Sequence, residues 1–233
     1  MAGESGTAGR VESVSRRCWV DRALCWVATA LPFALALSRA ASAGQWRDDL
    51  SAVRDLGFVA VGLGGGLSTP ITQALGLIPL GPRGFRAALG SALALAVAAR
   101  LLYGLTRELL LAAGRPGAQG AWLSRLGLAG GTAASPRLAS LLAAIATLTA
   151  ALSPTWQREA TIGGGAMLAT AGALLSIRLA ERCVGAGGGE ARPWVALGAV
   201  IGAVAAESPP AGLSALGAVL AMAAVARPGE DLV

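Results

Sequence analysis

The sequence predicts an all-α fold, a polytopic transmembrane helical bundle of about six spans. Three observations lead to this prediction: an apolar composition, a series of long apolar segments, and arginines placed singly between them. Hydrophobic residues make up 55% of the 233 residues, only 14% are charged, and the mean hydropathy is +0.62. A water-soluble domain of this length rarely has such a composition. The sequence therefore predicts a membrane protein. In such a protein the net charge of +6 is explained by arginines that fix the orientation of the spans, and no nucleic-acid partner is predicted.

The predicted chain divides at residues 22 and 226. Residues 1–22 are polar without apolar periodicity, which indicates a disordered cytoplasmic tail. Residues 23–226 form the transmembrane module, and residues 227–233 a C-terminal tail. The first span, residues 23–43, also has the form of a secretory signal, because Arg16 and Arg17 precede it and Ala41, Ser42 and Ala43 end it. A retained anchor is favoured, since further apolar spans follow.

Five further spans are predicted after a broken segment. Residues 44–86 are interrupted by charges, glycines and prolines, and they favour one or two helices along the membrane surface within the first external loop. The other spans are residues 87–111, 138–152, 161–179, 194–206 and 211–226. Residues 114–136 are predicted as a loop with a short interfacial segment around Trp122.

The arginines indicate the orientation of these spans. Positive charge concentrates on the cytoplasmic side of membrane proteins. Under six spans both termini share one face, which is predicted to be the cytoplasmic face of a bacterial inner membrane. The arginines on that face are Arg10, Arg16, Arg17, Arg22, Arg107, Arg115, Arg125, Arg137, Arg178, Arg182, Arg192 and Arg227. Arg39, Arg47, Arg54, Arg83, Arg86 and Arg158 fall at the external face, together with Asp48, Asp49, Asp55, Glu159 and Glu207.

Two motifs resemble a known family. Residues 78–109, IPLGPRGFRAALGSALALAVAARLLYGLTREL, resemble the segment after the first external loop of bacterial membrane proteins related to protein O-mannosyltransferases, within the GT-C superfamily of glycosyltransferases. Residues 152–162, LSPTWQREATI, are similar to that family's turn between the third and fourth spans. The matching positions are Pro79, Leu80, Gly81, Phe85, Arg86, Ser91, Ala92, Leu93, Ser153, Pro154, Thr155 and Trp156.

The chain also departs from the family pattern. The family has an acidic residue and a tyrosine a few positions after the Ser-Pro-Thr turn, where this chain has Gly163, Gly164, Gly165 and Ala166. The first loop lacks the histidine and the Pro-Pro-Gly of the family. The chain therefore resembles a short and degenerate member of this family. Other members of the family usually continue into more spans.

The resemblance implies transfer of a sugar from a polyprenyl-phosphate donor to an acceptor hydroxyl at the external face. Such a reaction needs a carboxylate base and a cation beside the leaving phosphate. Asp48 and Asp49 are the candidate catalytic bases, and the alternative for both is a solvated loop charge. Arg86 and Arg158 are candidate phosphate ligands, with an interfacial anchor as the alternative.

Glu159 and Glu207 complete the predicted substrate-binding set, and a loop ion or a helix-end charge is the alternative for each. If a divalent metal is the cofactor, these carboxylates with Asp48 or Asp49 are its ligands, although no spacing requires one. Cys18, Cys25 and Cys183 form no metal or disulfide pattern. Residues 163–165 lack the strand and lysine of a nucleotide loop, so these glycines favour close approach of the fourth span to another helix or to lipid.

A non-catalytic membrane scaffold, one subunit of a larger complex with membrane-protein partners, is the alternative function. The missing acidic and tyrosine residues favour it, whereas Asp48, Asp49 and Arg86 favour the enzyme. A transporter is a third interpretation, for which only Arg39 and Arg100 lie within spans away from a cytoplasmic end.

Overall fold

The fold is helical. A computed structural model describes residues 5–40, 45–46, 65–79, 81, 83–112, 135–185 and 191–226, of which 90% are helical. The described helices are α1 (Ser5–Ala40), α2 (Ser68–Gly76), α3 (Arg83–Ala112), α4 (Pro136–Ala151), α5 (Pro154–Thr161), α6 (Ala166–Gly185), α7 (Ala191–Glu207) and α8 (Pro209–Ala226). Two short strands, β1 (Gln45–Trp46) and β2 (Ile162–Gly163), pair in parallel.

Two of the described helices are long and apolar enough to cross a membrane. They comprise Trp19–Ala40 within α1 and Gly84–Ala112 within α3. The pair α4 and α5 makes a third if it is counted as one span, with a bend of 61° between its two parts. Membrane association therefore has support from the helices themselves. Each of the six predicted spans falls on a helix in the predicted order, but length and composition support only two or three of them as crossings.

Small residues fill the centre of the bundle. The largest buried cluster joins α1, α3, α4, α5 and α6, and eight of its ten buried members are alanine. Larger apolar side chains point outward from the same helices, among them Trp26, Val97 and Ile145, which are each more than half exposed. Alanine lets helix backbones approach closely, and outward leucine, valine and tryptophan suit a hydrocarbon environment. The packing is that expected for helices surrounded by lipid.

The helices run alternately up and down between two ends of the bundle. One end carries β1, α2, α5, β2 and the turn from α7 to α8, and we call it the rim. The opposite end is defined by contacts that Asp21, in the middle of α1, makes with the end of α3 and the start of α4, and by the contact between α3 and the end of α6. Of the segments predicted at the external face, those that the structure describes therefore lie together at the rim.

Serine followed by proline starts three helices. Ser135 and Ser153 are the N-caps of α4 and α5, and each side-chain oxygen accepts a hydrogen bond from the amide three residues later. Pro136 and Pro154 occupy the first helical position, where a missing N–H costs no hydrogen bond. Ser208 stands before Pro209 at the start of α8 in the same order.

Several boundaries differ from the prediction. Helix α1 begins at Ser5, ahead of residue 23, while the division of the chain at residues 22 and 226 stays a prediction. The fourth span was predicted to begin at residue 161, but α6 begins at Ala166 because Ile162–Gly163 pairs with Gln45–Trp46 instead. The turn between the third and fourth spans contains the short helix α5. The predicted loop at residues 114–136 lies almost wholly outside the described residues.

Candidate functional site at the rim

Glu207 joins the end of α7 to the start of α2. Its side chain is 6% exposed, and Oε2 accepts hydrogen bonds from the amides of Leu67 at 2.9 Å and Ser68 at 2.8 Å. The carbonyl of Glu207 accepts a hydrogen bond from the amide of Gly65 at 3.0 Å, and the carbonyl of Ala206 accepts one from the amide of Gly66 at 3.2 Å. Four successive amides of the chain before α2 thus donate to the last two residues of α7.

The carboxylate of Glu207 takes the place of a capping side chain at the start of α2. The N-cap residue of α2 is Leu67, whose side chain makes no capping hydrogen bond. The first amides of a helix need acceptors, and a negative charge at this end is favourable against the helix dipole. The carboxylate of Glu207, which comes from another helix, meets both requirements.

Gly165 provides the space that Glu207 occupies. A Cβ atom at residue 165 would stand 1.2 Å from Oε1 of Glu207 and 2.2 Å from its carboxyl carbon. The φ angle of Gly165 is not in the positive range, so the glycine is needed for space rather than for an unusual backbone conformation. The predicted close approach of the glycine segment to another helix is confirmed at this position.

Arg86 holds the other end of α2. Its Nη1 atom donates to the carbonyls of Gly76 and Ile78, the latter at 3.2 Å. A cation at a helix C-terminus is favourable for the same electrostatic reason that an anion is favourable at the N-terminus. The middle of α2 packs on α3 at Gly90, where a Cβ atom would meet Leu75 Cδ1 at 3.3 Å.

Glu207 and Arg86, the two charged residues that bond to α2, do not contact each other. They lie at opposite ends of a nine-residue helix, which is about 13.5 Å long at 1.5 Å per residue. Both were predicted to bind substrate, and the structure places each against backbone groups of α2. The observed contacts are those of residues that position this helix.

Helix α5 carries Arg158 and Glu159. Arg158 is exposed, and Glu159 is half-buried. The helix is fixed by Gln157, which is 1% exposed and whose Nε2 atom donates to the carbonyls of Ala151 at 2.8 Å and Pro32 at 3.3 Å. The two charged residues therefore stand on a helix that is anchored to α1 and α4, directly before β2.

Strand β2 brings the first loop to the rim. Gln45 pairs with Ile162, and Trp46 pairs with Gly163. Ser91 of α3 donates to the carbonyl of Gly164 at 2.9 Å, so the glycine segment is also tied to the third helix of the chain. Asp48 and Asp49, the predicted catalytic bases, follow β1 in the sequence but lie outside the described residues.

A polar cluster at the opposite end was not predicted. Oδ1 of Asp21 accepts from Tyr103 Oη at 2.7 Å, Ser140 Oγ at 2.7 Å and Arg107 Nε at 2.8 Å. The chain has one tyrosine, and the sequence alone indicated a packing or interfacial role for it. Tyr103 does pack against α1 and α4, but its hydroxyl also joins this network.

A second ion pair lies near this cluster. Arg178 of α6 pairs with Glu108 of α3 and with Glu181 at 3.1 Å. Burial raises the pKa of Glu181, and the neighbouring Arg178 guanidinium partly opposes that shift. Arg107 and Arg178 both belong to the predicted cytoplasmic set, and both contact carboxylates at this end of the bundle.

Sequence reasoning missed Gln157 and Asp21, two polar residues that make hydrogen bonds between helices. Neither belongs to a motif with a fixed spacing, and their partners lie far away in sequence, for example 119 residues for Asp21 and Ser140. The signal available was the presence of an acidic or amide side chain within a strongly apolar segment, which usually has a bonded partner. Among the described residues, no three His, Cys, Asp or Glu side chains come together as a metal site.

The fold and the rim define this chain as a helical bundle with candidate membrane spans. No family model, no curated protein and no solved structure matches it.

Proposed function

We propose that this chain is an integral protein of a bacterial inner membrane, with six spans, a GT-C-like module and both termini in the cytoplasm. In this proposal it transfers a sugar from a polyprenyl phosphate to an acceptor hydroxyl at the external face. The observation that supports it best is the assembly of the rim. There, β1, α2, β2 and Glu207 join the segments that carry the two family-like motifs and the first loop.

The roles proposed for individual residues follow from this assembly. Asp48 or Asp49 deprotonates the acceptor hydroxyl, and the exposed Arg158 neutralises the phosphate. Glu159 stands beside Arg158 and orients it or the substrate. Glu207 and Arg86 contribute by holding α2, because their polar atoms already bond to backbone groups there. A divalent cation, if the reaction uses one, is held by Asp48 or Asp49 and by Glu159.

Sugar transfer is tested with the purified full chain in lipid nanodiscs. The assay supplies a polyprenyl-phosphate sugar with and without a divalent cation, and measures release of polyprenyl phosphate. We expect release by the wild-type chain and its loss when Asp48→Ala is combined with Asp49→Ala. Asp55→Ala, a carboxylate of the same loop, is the matched control and keeps activity. Activity that survives the double substitution would contradict the proposed bases.

A non-catalytic membrane scaffold is the second candidate, and one observation favours it. Two of the residues predicted to bind substrate are occupied in holding α2, and the glycine segment carries no acidic side chain. A scaffold would copurify with defined membrane-protein subunits from native membranes and would release no polyprenyl phosphate. A monodisperse chain that turns over the sugar lipid would exclude this alternative.

A further inference from the structure

The start of α2 is attached to the rest of the protein mainly through Glu207. The amides of Leu67 and Ser68 donate to its carboxylate, and the amides of Gly65 and Gly66 donate to the adjoining backbone of α7. We propose that the Glu207 carboxylate is a latch that fixes α2 across the rim. The latch depends on the position of the carboxylate, which lies where a Cβ atom on Gly165 would be. This inference holds whether or not the chain transfers a sugar.

The position of the carboxylate is set by three elements. Helix α7 supplies the side chain, Gly165 at the start of α6 leaves room for it, and the amides before α2 bind it. A side chain on residue 165 would begin where the carboxylate of Glu207 now lies. Any side chain larger than the hydrogen of glycine would therefore displace the carboxylate from the amides of Leu67 and Ser68.

The remaining contacts of α2 leave its start dependent on this latch. Its middle packs against Gly90 of α3, and its end is held by Arg86 of the same helix. Both of these contacts are with α3. The start of α2 is held to α7 by the Glu207 carboxylate, which binds the amides of Leu67 and Ser68, and by the backbone hydrogen bonds of the preceding Gly65 and Gly66. Ser68 is 6% exposed, and its hydroxyl has no hydrogen-bond partner among the described residues. The hydroxyl therefore adds no second tie at this end.

Separation of α2 would open the rim. Gly165 and the Glu207 carboxylate would become accessible, while the apolar side chains of α2, such as Ile71 and Leu77, are already exposed at 38% and 86%. These apolar groups keep the helix at the membrane surface in either state. Helix α2 therefore separates from α6 and α7 at its first residues and stays attached to α3 at its last residues.

The latch is tested by hydrogen exchange of peptides covering residues 65–70 in nanodiscs. A hydrogen bond to a charged group contributes about 1.5–3 kcal/mol, so Glu207→Ala should speed exchange there by roughly tenfold or more. Glu207→Gln keeps an acceptor oxygen without the charge and should show a smaller increase. Gly165→Ala places a Cβ where the carboxylate lies and should also speed exchange there, because the carboxylate is displaced from these amides.

The matched control is Glu181→Ala. Glu181 is also a partly buried glutamate, but it lies at the opposite end of the bundle, paired with Arg178. Its loss should leave exchange at residues 65–70 unchanged. Unchanged exchange in Glu207→Ala would overturn the proposal, and so would unchanged exchange in a folded Gly165→Ala variant.

A cross-link measures the same latch in a chain that keeps Glu207. A Cβ at Gly66 would lie 3.0 Å from Cβ of Ala206, close to the 3.5–4.5 Å of a disulfide after a shift of about half an ångström. With the three native cysteines replaced, Gly66→Cys combined with Ala206→Cys should cross-link rapidly. Once the disulfide has formed, adding Glu207→Ala should speed exchange at residues 65–70 far less than in the reduced chain, because the cross-link holds the start of α2 to α7. An equal increase in the oxidised and reduced chains would overturn the latch.

Discussion

A single carboxylate organises each end of this protein at the scale of the residue. At the opposite end from the rim, Asp21 accepts hydrogen bonds from three side chains on two other helices. A polar group within a packed apolar bundle is expensive unless it is bonded, and removing one partner leaves the others unsatisfied. Asp21 therefore determines how α1, α3 and α4 meet.

We predict that Asp21→Ala destabilises the protein by about 1–3 kcal/mol, because Tyr103, Ser140 and Arg107 lose their shared acceptor. Tyr103→Phe should cost less, about 0.5–1.5 kcal/mol, since the carboxylate keeps two donors. Reversible unfolding in detergent measures both. Ser38→Ala, at an exposed hydroxyl of α1, is the control and should have no effect. A larger loss for Tyr103→Phe than for Asp21→Ala would contradict this order.

The sequence indicated charged residues at the rim but not their partners. Arg86 and Glu207 were selected as binding residues from a motif and a helix end, and both are indeed tied to the first loop. The partners of both are backbone groups, which carry no residue signature, so a sequence cannot reveal them. Gln157 was missed for the same reason, since it bonds to the carbonyls of Pro32 and Ala151.

At the scale of the element, α6 and α7 pack through small residues. Gly172 faces Val204, and a Cβ on the glycine would lie 2.4 Å from Val204 Cγ2. Gly165 stands directly before α6, seven residues before Gly172, and faces Glu207 of the same partner. Small residues spaced by about two turns thus form the face that lets α7 approach α6.

Gly172→Ala should destabilise the bundle by about 1–3 kcal/mol, because the added methyl group overlaps Val204. Combining it with Val204→Ala should recover much of that loss by removing the overlapping atoms. Gly198→Ala is the matched control, since nothing lies within 4 Å of its Cβ position and alanine favours a helix. Thermal unfolding of the three variants measures these effects, and equal effects at residues 172 and 198 would refute close packing.

The Ser-Pro starts give a second prediction for an element. Ser153→Ala removes the acceptor for the Trp156 amide at the start of α5 and should cost about 0.5–2 kcal/mol. Ser153→Asp should restore stability, because aspartate is an equally good N-cap. Urea or thermal unfolding measures the difference. A Ser153→Asp variant as unstable as Ser153→Ala would show that the serine acts in some other way.

Elements of strong apolar character were predictable, and those made by distant pairing were not. Helices occur at all six predicted spans because long apolar segments between charges favour one structure in a membrane. Strands β1 and β2 are two residues each, too short for any periodicity, and they exist only because they meet. Helix α5 was hidden in a predicted turn for a similar reason, since only eight residues form it.

At the scale of the whole molecule, the two ends carry different sets of segments. The rim holds both strands, α2 and the α7–α8 turn, and the opposite end holds the ion pairs of Arg107 and Arg178. If the bundle crosses the membrane as proposed, the two ends face different compartments. This division follows from the alternating direction of the helices.

Thiol labelling in cells tests this division. In a chain without native cysteines, Thr155→Cys at the rim and Arg182→Cys at the opposite end both introduce exposed thiols. We expect a membrane-impermeant maleimide to label the Thr155→Cys variant on spheroplasts, and the Arg182→Cys variant only after lysis, because positive charge favours the cytoplasmic side. Labelling of both variants before lysis would contradict opposite exposure of the two ends.

The latch at Glu207 also has a consequence for biosynthesis. The amides of Leu67 and Ser68 precede their acceptor by 140 and 139 residues. At 5–20 residues per second a ribosome needs on the order of 10 s to synthesise that interval. During this period the nascent chain has its first loop at the membrane without the residue that fastens it. A ribosome stalled before codon 207 would therefore hold a chain whose first helices are made but whose rim is still open.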